Sequence, residues 1–419
     1  MAATKYKDSG IPWMPTIPDS WEVQRGKNVL VLNKRPVRES DEVVTCFRDG
    51  EVVLRSERRT EGFTMSDKEI GYQGINKGDI VIHGMDGFAG AMGVSKSTGK
   101  GSPVLVVCSP RNNAVPQFII YYLRTLAMTD VFVALSTGIR ERSCDLRWNK
   151  IAELQFALPS STTQQRIADF LDRKCAEIDE LAALQETMID ELKCYKQSLI
   201  TETVTKGLNK NAKMKPSGVD WIGEIPEHWS IVRIKNLLNE RKERSLNGDE
   251  EPLSMSQKKG LIPTKDMDVI PNMASSFVGA KLVFKNDLVF NKLKAHLGVF
   301  SVSNYDGLVS PDYAVYYSTG YANAKYLEFL FKTPQYINEF KKLSTGVGAG
   351  LTRLYTSDLF GINAIQPPIQ EQKEIMNFIT LKCTEIDELI AVKQQKIESL
   401  KEYKKSVIFE YVTGKKEVL

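Results

Sequence analysis

The 419-residue chain contains no apolar run near the roughly 20 residues needed to cross a bilayer. Its opening residues, MAATKYKDSG, hold no apolar signal core. A cytoplasmic protein without membrane contact is expected. Cysteine is sparse, at positions 46, 108, 144, 175, 194 and 383, with no C-x-x-C pair. The three histidines, His83, His228 and His296, stand at ligand spacing from no cysteine, and none shares a local spacing with a nucleophile. These absences argue against a disulfide framework, a metal site and a locally encoded triad. Phosphate-binding signatures are missing too. Gly84–Gly90 and Gly99-Lys100-Gly101 match neither G-x-G-x-x-G nor a P-loop and read as turns. No Asn-Pro-Pro-aromatic run of an amino-methyltransferase is present.

What the chain does have, it has twice. Residues 9–30, SGIPWMPTIPDSWEVQRGKNVL, return as residues 217–238, SGVDWIGEIPEHWSIVRIKNLL, with 10 of 22 positions identical. Trp13/Trp221, Pro18/Pro226, Trp21/Trp229 and Lys27/Lys235 are among them. Lys174–Leu181 returns as Lys382–Leu389, and Ser136-Thr137-Gly138 as Ser344-Thr345-Gly346. Every pair lies 208 residues apart. The chain is too long for one core, and a tandem duplication supplies the division.

Each copy reads as α+β: a turn-rich mixed domain, then a long helix. Short β-like runs fall at Val43–Phe47, Val52–Arg55, Asp79–His83 and Val104–Cys108, with a helix near Gln117–Thr129 and an apolar run at Ile151–Leu158. The second copy has Asp287–Asn291, Leu297–Val302, Tyr313–Tyr317, a helix near Tyr321–Leu343, and Leu359–Ile365. The expected domains are 1–159, 160–208 (central helix), 209–366 and 367–419 (C-terminal helix). Their charges differ: 21 Lys/Arg against 18 Asp/Glu (+3), 6 against 9 (−3), 20 against 16 (+4), and 9 against 9 (0). The basic excess sits on the mixed domains, which suits nucleic-acid contact there.

Pro159 and Pro367-Pro368 end the mixed domains, and Ser161-Thr162-Thr163-Gln164 reads as a capping box. The helices then show heptad spacing. The expected seam is Ile178, Leu181, Met188, Leu192, Tyr195 and Leu199 in the first helix. In the second it is Ile386, Leu389, Leu400, Tyr403 and Val407, with Lys393 and Lys396 as polar interruptions. Neither stripe is stable alone. The simplest partner is the other copy, and chain direction then makes the pair an antiparallel coiled coil with the mixed domains at opposite ends. Roughly 35 residues give a rod of about 50 Å, against about 34–36 Å for one turn of B-DNA.

Several features occur together: Ile-Pro-x-x-Trp at Ile17–Trp21 and Ile225–Trp229, a Ser-Thr-Gly loop before the last strand, Pro-Pro-x-x-Glu-Gln at Pro367–Gln372, and a Glu-Ile-Asp-Glu-Leu helix. In this duplicated order they resemble the specificity subunit of type I restriction–modification enzymes, over essentially the whole chain. The resemblance implies two target-recognition domains that read a bipartite, asymmetric site in double-stranded DNA. It implies helices that space them and dock two methyltransferase subunits, and a separate ATP-driven restriction and translocation subunit. No catalytic residue and no metal is then expected in this chain; S-adenosylmethionine, ATP and Mg²⁺ would belong to the partners. One departure is Pro159-Ser160-Ser161-Thr162-Thr163-Gln164-Gln165, which lacks the fuller motif at Pro367.

Arginine and lysine position phosphates and read base edges. The candidate DNA-binding residues in the first copy are Arg55, Arg58, Arg59, Lys96 and Lys100, and the loop residues Gly138, Arg140, Arg142 and Arg147. In the second they are Arg241, Lys242, Lys258, Lys259, Lys292, Lys294, Gly346 and Arg353. Two other readings stay open: a coiled-coil scaffold whose globules bind protein, and a nuclease built on Asp312, Glu339 and Lys341.

Overall fold

Ile80-Val81-Ile82 can serve as a strand in water only if both of its faces are covered, and both are. The computed structural model describes residues 5–58, 70–129, 131–132, 146–256, 259–270, 276–346 and 352–418. It divides into two compact units, Met1–Glu186 with Gln394–Leu419, and Thr187–Lys393. In the first, strand Ile80–His83 lies inside a four-stranded antiparallel sheet, between Leu105–Pro110 and Met92–Val94, with Leu30–Leu32 on the far edge. Side chains alternate across it. Ile80, Ile82, Val106 and Cys108 face the helix Pro116–Met128 and its Phe118, Tyr122 and Leu126. Val81, Leu105 and Val107 face a second core with Val44, Cys46, Val52 and Ile75 from smaller two-stranded ladders. Burial pushes the Cys46 and Cys108 thiols up to about 12, so both remain inert core atoms.

The second unit repeats this element by element. Its sheet runs Leu238–Glu240, Tyr313–Ser318, Leu288–Asn291, Phe300–Val302, each strand starting 208 residues after its counterpart. Leu288, Phe290 and Tyr316 face the helical side; Val289 and Val315 face the smaller core. The apolar runs at Ile151–Leu158 and Leu359–Ile365 each split into a short helix and a strand, Trp148–Glu153 with Gln155–Leu158 and Thr356–Gly361 with Asn363–Gln366. The stretch Tyr321–Leu343 is two helices, Ala324–Phe331 and Pro334–Leu343. Pro334 lacks the N–H that would continue the first and instead starts the second.

The long helices are Ser161–Lys206 and Ile369–Val412. Within each unit they pair antiparallel. In the first, Arg166 donates to Val418 O at 2.7 Å, Phe170 packs on Tyr411 at 4.4 Å between ring centres, and Lys404 pairs with Asp179 at 2.6 Å. In the second, Lys393 meets Met188 and Lys196 pairs with Asp387 at 2.6 Å. The two Lys–Asp pairs are images of each other at the 208-residue offset.

The seam departs from the heptads expected of it. Ile167, Ile178, Ile189 and Ile200 are all buried, as are Ile375, Ile386, Ile397 and Ile408. Each set steps by eleven residues. Eleven residues in three turns is 3.67 per turn, close to the 3.6 of an unstrained helix, so residues at this spacing return to nearly the same helix face. Leu400 and Val407 are buried and Met188, Leu192 and Leu199 partly so. Leu181, Tyr195, Leu389 and Tyr403 drift off the seam and are about half exposed (49–57 %).

The start of the first helix is also corrected by one residue. Ser160, not Ser161, caps the first helix: its Oγ accepts from Thr163 N at 3.3 Å. Gln164 is instead a buried pin. Its Oε1 accepts from Val115 N at 2.9 Å and its Nε2 donates to Pro159 O at 2.9 Å. Gln372 repeats both bonds, to Asn323 N at 2.8 Å and Pro367 O at 2.8 Å. Each glutamine ties a long helix to the start of the preceding short helix. Gln372→Ala leaves the buried Pro367 carbonyl and the half-buried Asn323 N–H without this partner and is expected to lower stability by about 1–3 kcal/mol. A shift in the urea midpoint of the full chain checks this; an unchanged midpoint would show that water replaces the pin at no cost.

Candidate nucleic-acid interface

A cation contacts a duplex only if the fold leaves its donors outward, and the candidate residues differ in this. In the first unit Arg55 starts the turn after strand Val52–Leu54 and its Nε donates to Thr45 Oγ1 at 3.3 Å. Arg58 lies over the Phe47 ring at 4.3 Å and is paired with Asp49 and Glu51; Lys96 shares Glu51 at 2.9 Å. These hydrogen bonds hold the Asp49 carboxyl below its usual range and raise Arg58. Arg58 and Lys96 thus form one exposed patch, tempered by two carboxylates. Lys100 lies on strand Gly99–Gly101, and the exposed Arg147 caps Trp148–Glu153. Arg59, Gly138, Arg140 and Arg142, with the loop Ser136-Thr137-Gly138, lie outside the described residues, as does Lys258.

In the second unit Arg241 is committed to the fold. Its Nε and Nη2 grip the buried Asp287 at 2.6 and 2.9 Å, its Nη1 meets Glu243 at 2.9 Å, and the guanidinium lies over Phe284 and Tyr317. The bond to Asp287 raises its pKa further. The first unit does the same from a neighbouring position: Arg35 clamps the buried Asp79. Each aspartate also accepts a turn N–H, from Asn76 at 2.7 Å and Phe284 at 2.8 Å. The Arg–Asp pair is a turn clamp in both copies. Lys242 and Lys294 are exposed, and Lys259 pairs with Asp268 at 2.7 Å. In the Ser-Thr-Gly loop, Ser344 Oγ donates to Phe340 O at 2.6 Å, and Thr345–Gly346 pairs with Thr352–Arg353. An added Cβ on Gly346 would meet nothing within 4 Å, so packing does not demand glycine there.

Lys292 and Arg353 belong to a group that sequence reading found only in part. Lys281 Nζ donates to Tyr313 O at 2.8 Å and lies 3.7 Å from Glu240; Arg353 Nη2 lies 3.0 Å from Asp312; Arg244 Nη1 donates to Gly279 O at 2.7 Å. Burial and then the charge of Lys292 lower Lys281, while burial and then Arg353 lower Lys292. The 208-residue offset would have exposed this group. Gln73 stands where Lys281 does and makes the equivalent bond, to Leu105 O at 2.6 Å, without charge. Of the residues of the nuclease reading, Asp312 pairs with Arg353, and Glu339 pairs with Lys342 at 2.5 Å. Among the described residues no group of three or more His, Cys, Asp or Glu could hold a metal ion, and no helix is long and apolar enough to cross a membrane.

No family model matches the chain. It is 23 % identical over 421 aligned residues to the putative type I restriction enzyme MjaX specificity subunit of Methanocaldococcus jannaschii, spanning 95 % of this chain and 94 % of that one. The type I restriction enzyme MjaVIII specificity subunit of the same organism is 22 % identical, spanning 95 % and 93 %. The chain is thus similar over nearly its whole length to type I restriction enzyme specificity subunits. Its fold is likewise similar to solved structures. It superposes on a solved chain from work on assembly and conformational transition of the type I R-M system, with a TM-score of 0.68 at 13 % identity, covering 95 % and 99 % of the two chains. For the crystal structure of the HsdS subunit from Thermoanaerobacter tengcongensis the TM-score is 0.57 at 14 % identity, covering 95 % and 98 %.

Proposed function

We propose that the chain is the non-catalytic DNA-recognition subunit of a type I restriction–modification complex, reading a bipartite, asymmetric target. One observation carries this: the same four-stranded sheet occurs twice, strand for strand at 208 residues, while the exposed chemistry of the copies differs. Val104 and Gly84 in the first copy stand where the exposed Asp312 and the half-buried Lys292 stand in the second. Equal frames with unequal surfaces suit two unlike half-sites on one duplex.

Partner subunits need a docking surface, and the long helices offer one. Leu181, Leu184 and Tyr403 are exposed on the helices of the first unit, and Leu389, Val392 and Tyr195 are exposed at the matching positions of the second. Apolar stripes of this kind mark protein contacts. Two methyltransferase subunits would cover them, carrying S-adenosylmethionine. A restriction and translocation subunit would bring ATP and Mg²⁺, and the complex would work in the cytoplasm.

Co-expression with the neighbouring methyltransferase, followed by mapping of modified adenines, tests the reading. A two-part motif that appears only when this chain is present is expected. Modification without sequence preference, or none, overturns it.

A further inference from the structure

Arg353 and Asp312 form a pair that the first unit lacks. Arg353 lies on the short strand Thr352–Arg353. Its Nη2 meets Asp312 Oδ1 at 3.0 Å, with the arginine side chain 28 % exposed and the aspartate 60 %. The arginine Nε is buried and has no hydrogen-bond partner. A carboxylate bonded to one nitrogen of a guanidinium orients the planar fork, which a lysine could not offer. The neighbouring backbone is fixed too, because Leu354 N donates to Lys292 O at 3.1 Å. Lys292 Nζ lies 3.4 Å from Pro311 O. Around this point Lys281, Lys292, Arg244 and Arg353 stand against two carboxylates, Glu240 and Asp312. The net charge is positive, and the cations repel one another until something negative arrives.

We infer that Arg353, held in plane by Asp312, reads a guanine in the major groove of the half-site bound by the second unit, and that Asp312 accepts the cytosine amino group of the same base pair. This rests on the recognition-subunit reading. The carboxylate decides between base and phosphate. Beside a phosphate it would repel the ligand; beside the neutral O6/N7 edge of guanine it does not, and it supplies the acceptor that cytosine N4 needs. Lys292 and Arg244 then serve the neighbouring phosphates. The first copy has Val104 in place of Asp312 and Asp145 in place of Arg353, so its half-site is read by other means.

The test is the full chain co-expressed with its methyltransferase, as wild type, R353K, R353Q and D312N, with the modified motif mapped across a genome. The wild-type motif should specify a G·C pair in one half. R353K keeps the charge and loses the fork; it should relax that position alone, by about ten- to hundred-fold. R353Q should relax the same position and D312N should relax it less, with the other half unchanged. A second half-site with no specified guanine overturns the inference. So does R353K behaving as wild type while R353Q weakens every site equally, the signature of a phosphate contact. If the wild type yields no two-part motif, the recognition-subunit reading itself has failed, and that outcome is distinct from both.

Discussion

Exchanging residues 230–366 for the matching segment of another such chain should change one half of the recognised motif completely and leave the other half untouched. Residues 217–365 are the span that the repeat alone suggests. The structure moves the cut, because the hairpin Met214–Pro216 with Glu224–Pro226 straddles residue 217. Ser230 and Gln366 are instead cross-strand partners at the two ends of the ladder Ser230–Arg233 with Asn363–Gln366. A segment whose ends are already neighbours can be replaced without moving its flanks. Trp229 and Gln372 stay outside the cut, and the Gln372 bond into the segment goes to a backbone N–H, at Asn323, which a replacement of the same fold also supplies. The second unit's sheet, the Arg241–Asp287 clamp and the Lys292/Arg353 group all travel with it. Mapping modified adenines before and after the exchange reads both halves at once. If both halves change, the two units do not read separately and the modular account fails.

Much of this was open to sequence reading because the duplication is internal. A constant offset turns every element into a prediction about its counterpart, and the four strands of the main sheet keep that offset to the residue. The long helices were found for the same reason, but their period was not. Leucine and tyrosine at seven-residue spacing imitate a seam, and only burial shows that isoleucine at eleven-residue spacing is the one used. Arg241 shows a second blind spot. Arginine after a strand looks available to DNA. Its partner Asp287 lies 46 residues on, and nothing local announces a contact of that separation. The basic group in the second unit was half seen for the opposite reason. Lys281 looks like a surface lysine until Gln73, its counterpart, shows that the position contacts a carbonyl in either copy. Charge there is an addition to a structural contact.

The largest stability effect is expected at the repeated tryptophan, and it should differ between the copies. Trp229 is 1 % exposed, and its Nε1 donates to Glu371 at 2.9 Å; His228 meets the same carboxylate oxygen at 2.8 Å. The end of the first long helix rests on this ring. Gly207 has φ +80° there, and an added Cβ would come within 3.0 Å of the indole and 3.1 Å of Glu371. Trp21 is buried too, edge-on to Phe118 at 6.3 Å, but Thr163 stands where Glu371 does. Trp229→Ala and Trp21→Ala each leave a large cavity, worth about 3–5 kcal/mol. Tryptophan to phenylalanine separates the packing from the hydrogen bond. Trp229→Phe removes the donor from a partly buried carboxylate and should cost about 1–3 kcal/mol more than Trp21→Phe. Hydrogen exchange on the full chain locates the damage. Protection should fall around Ile225–Leu238 and Val204–Gly207 in the Trp229 variants and hold around Met14–Leu30. Equal losses from the two phenylalanine variants would show that Glu371 takes its bonds from water as readily as from the indole, and the copies would then be anchored by packing alone.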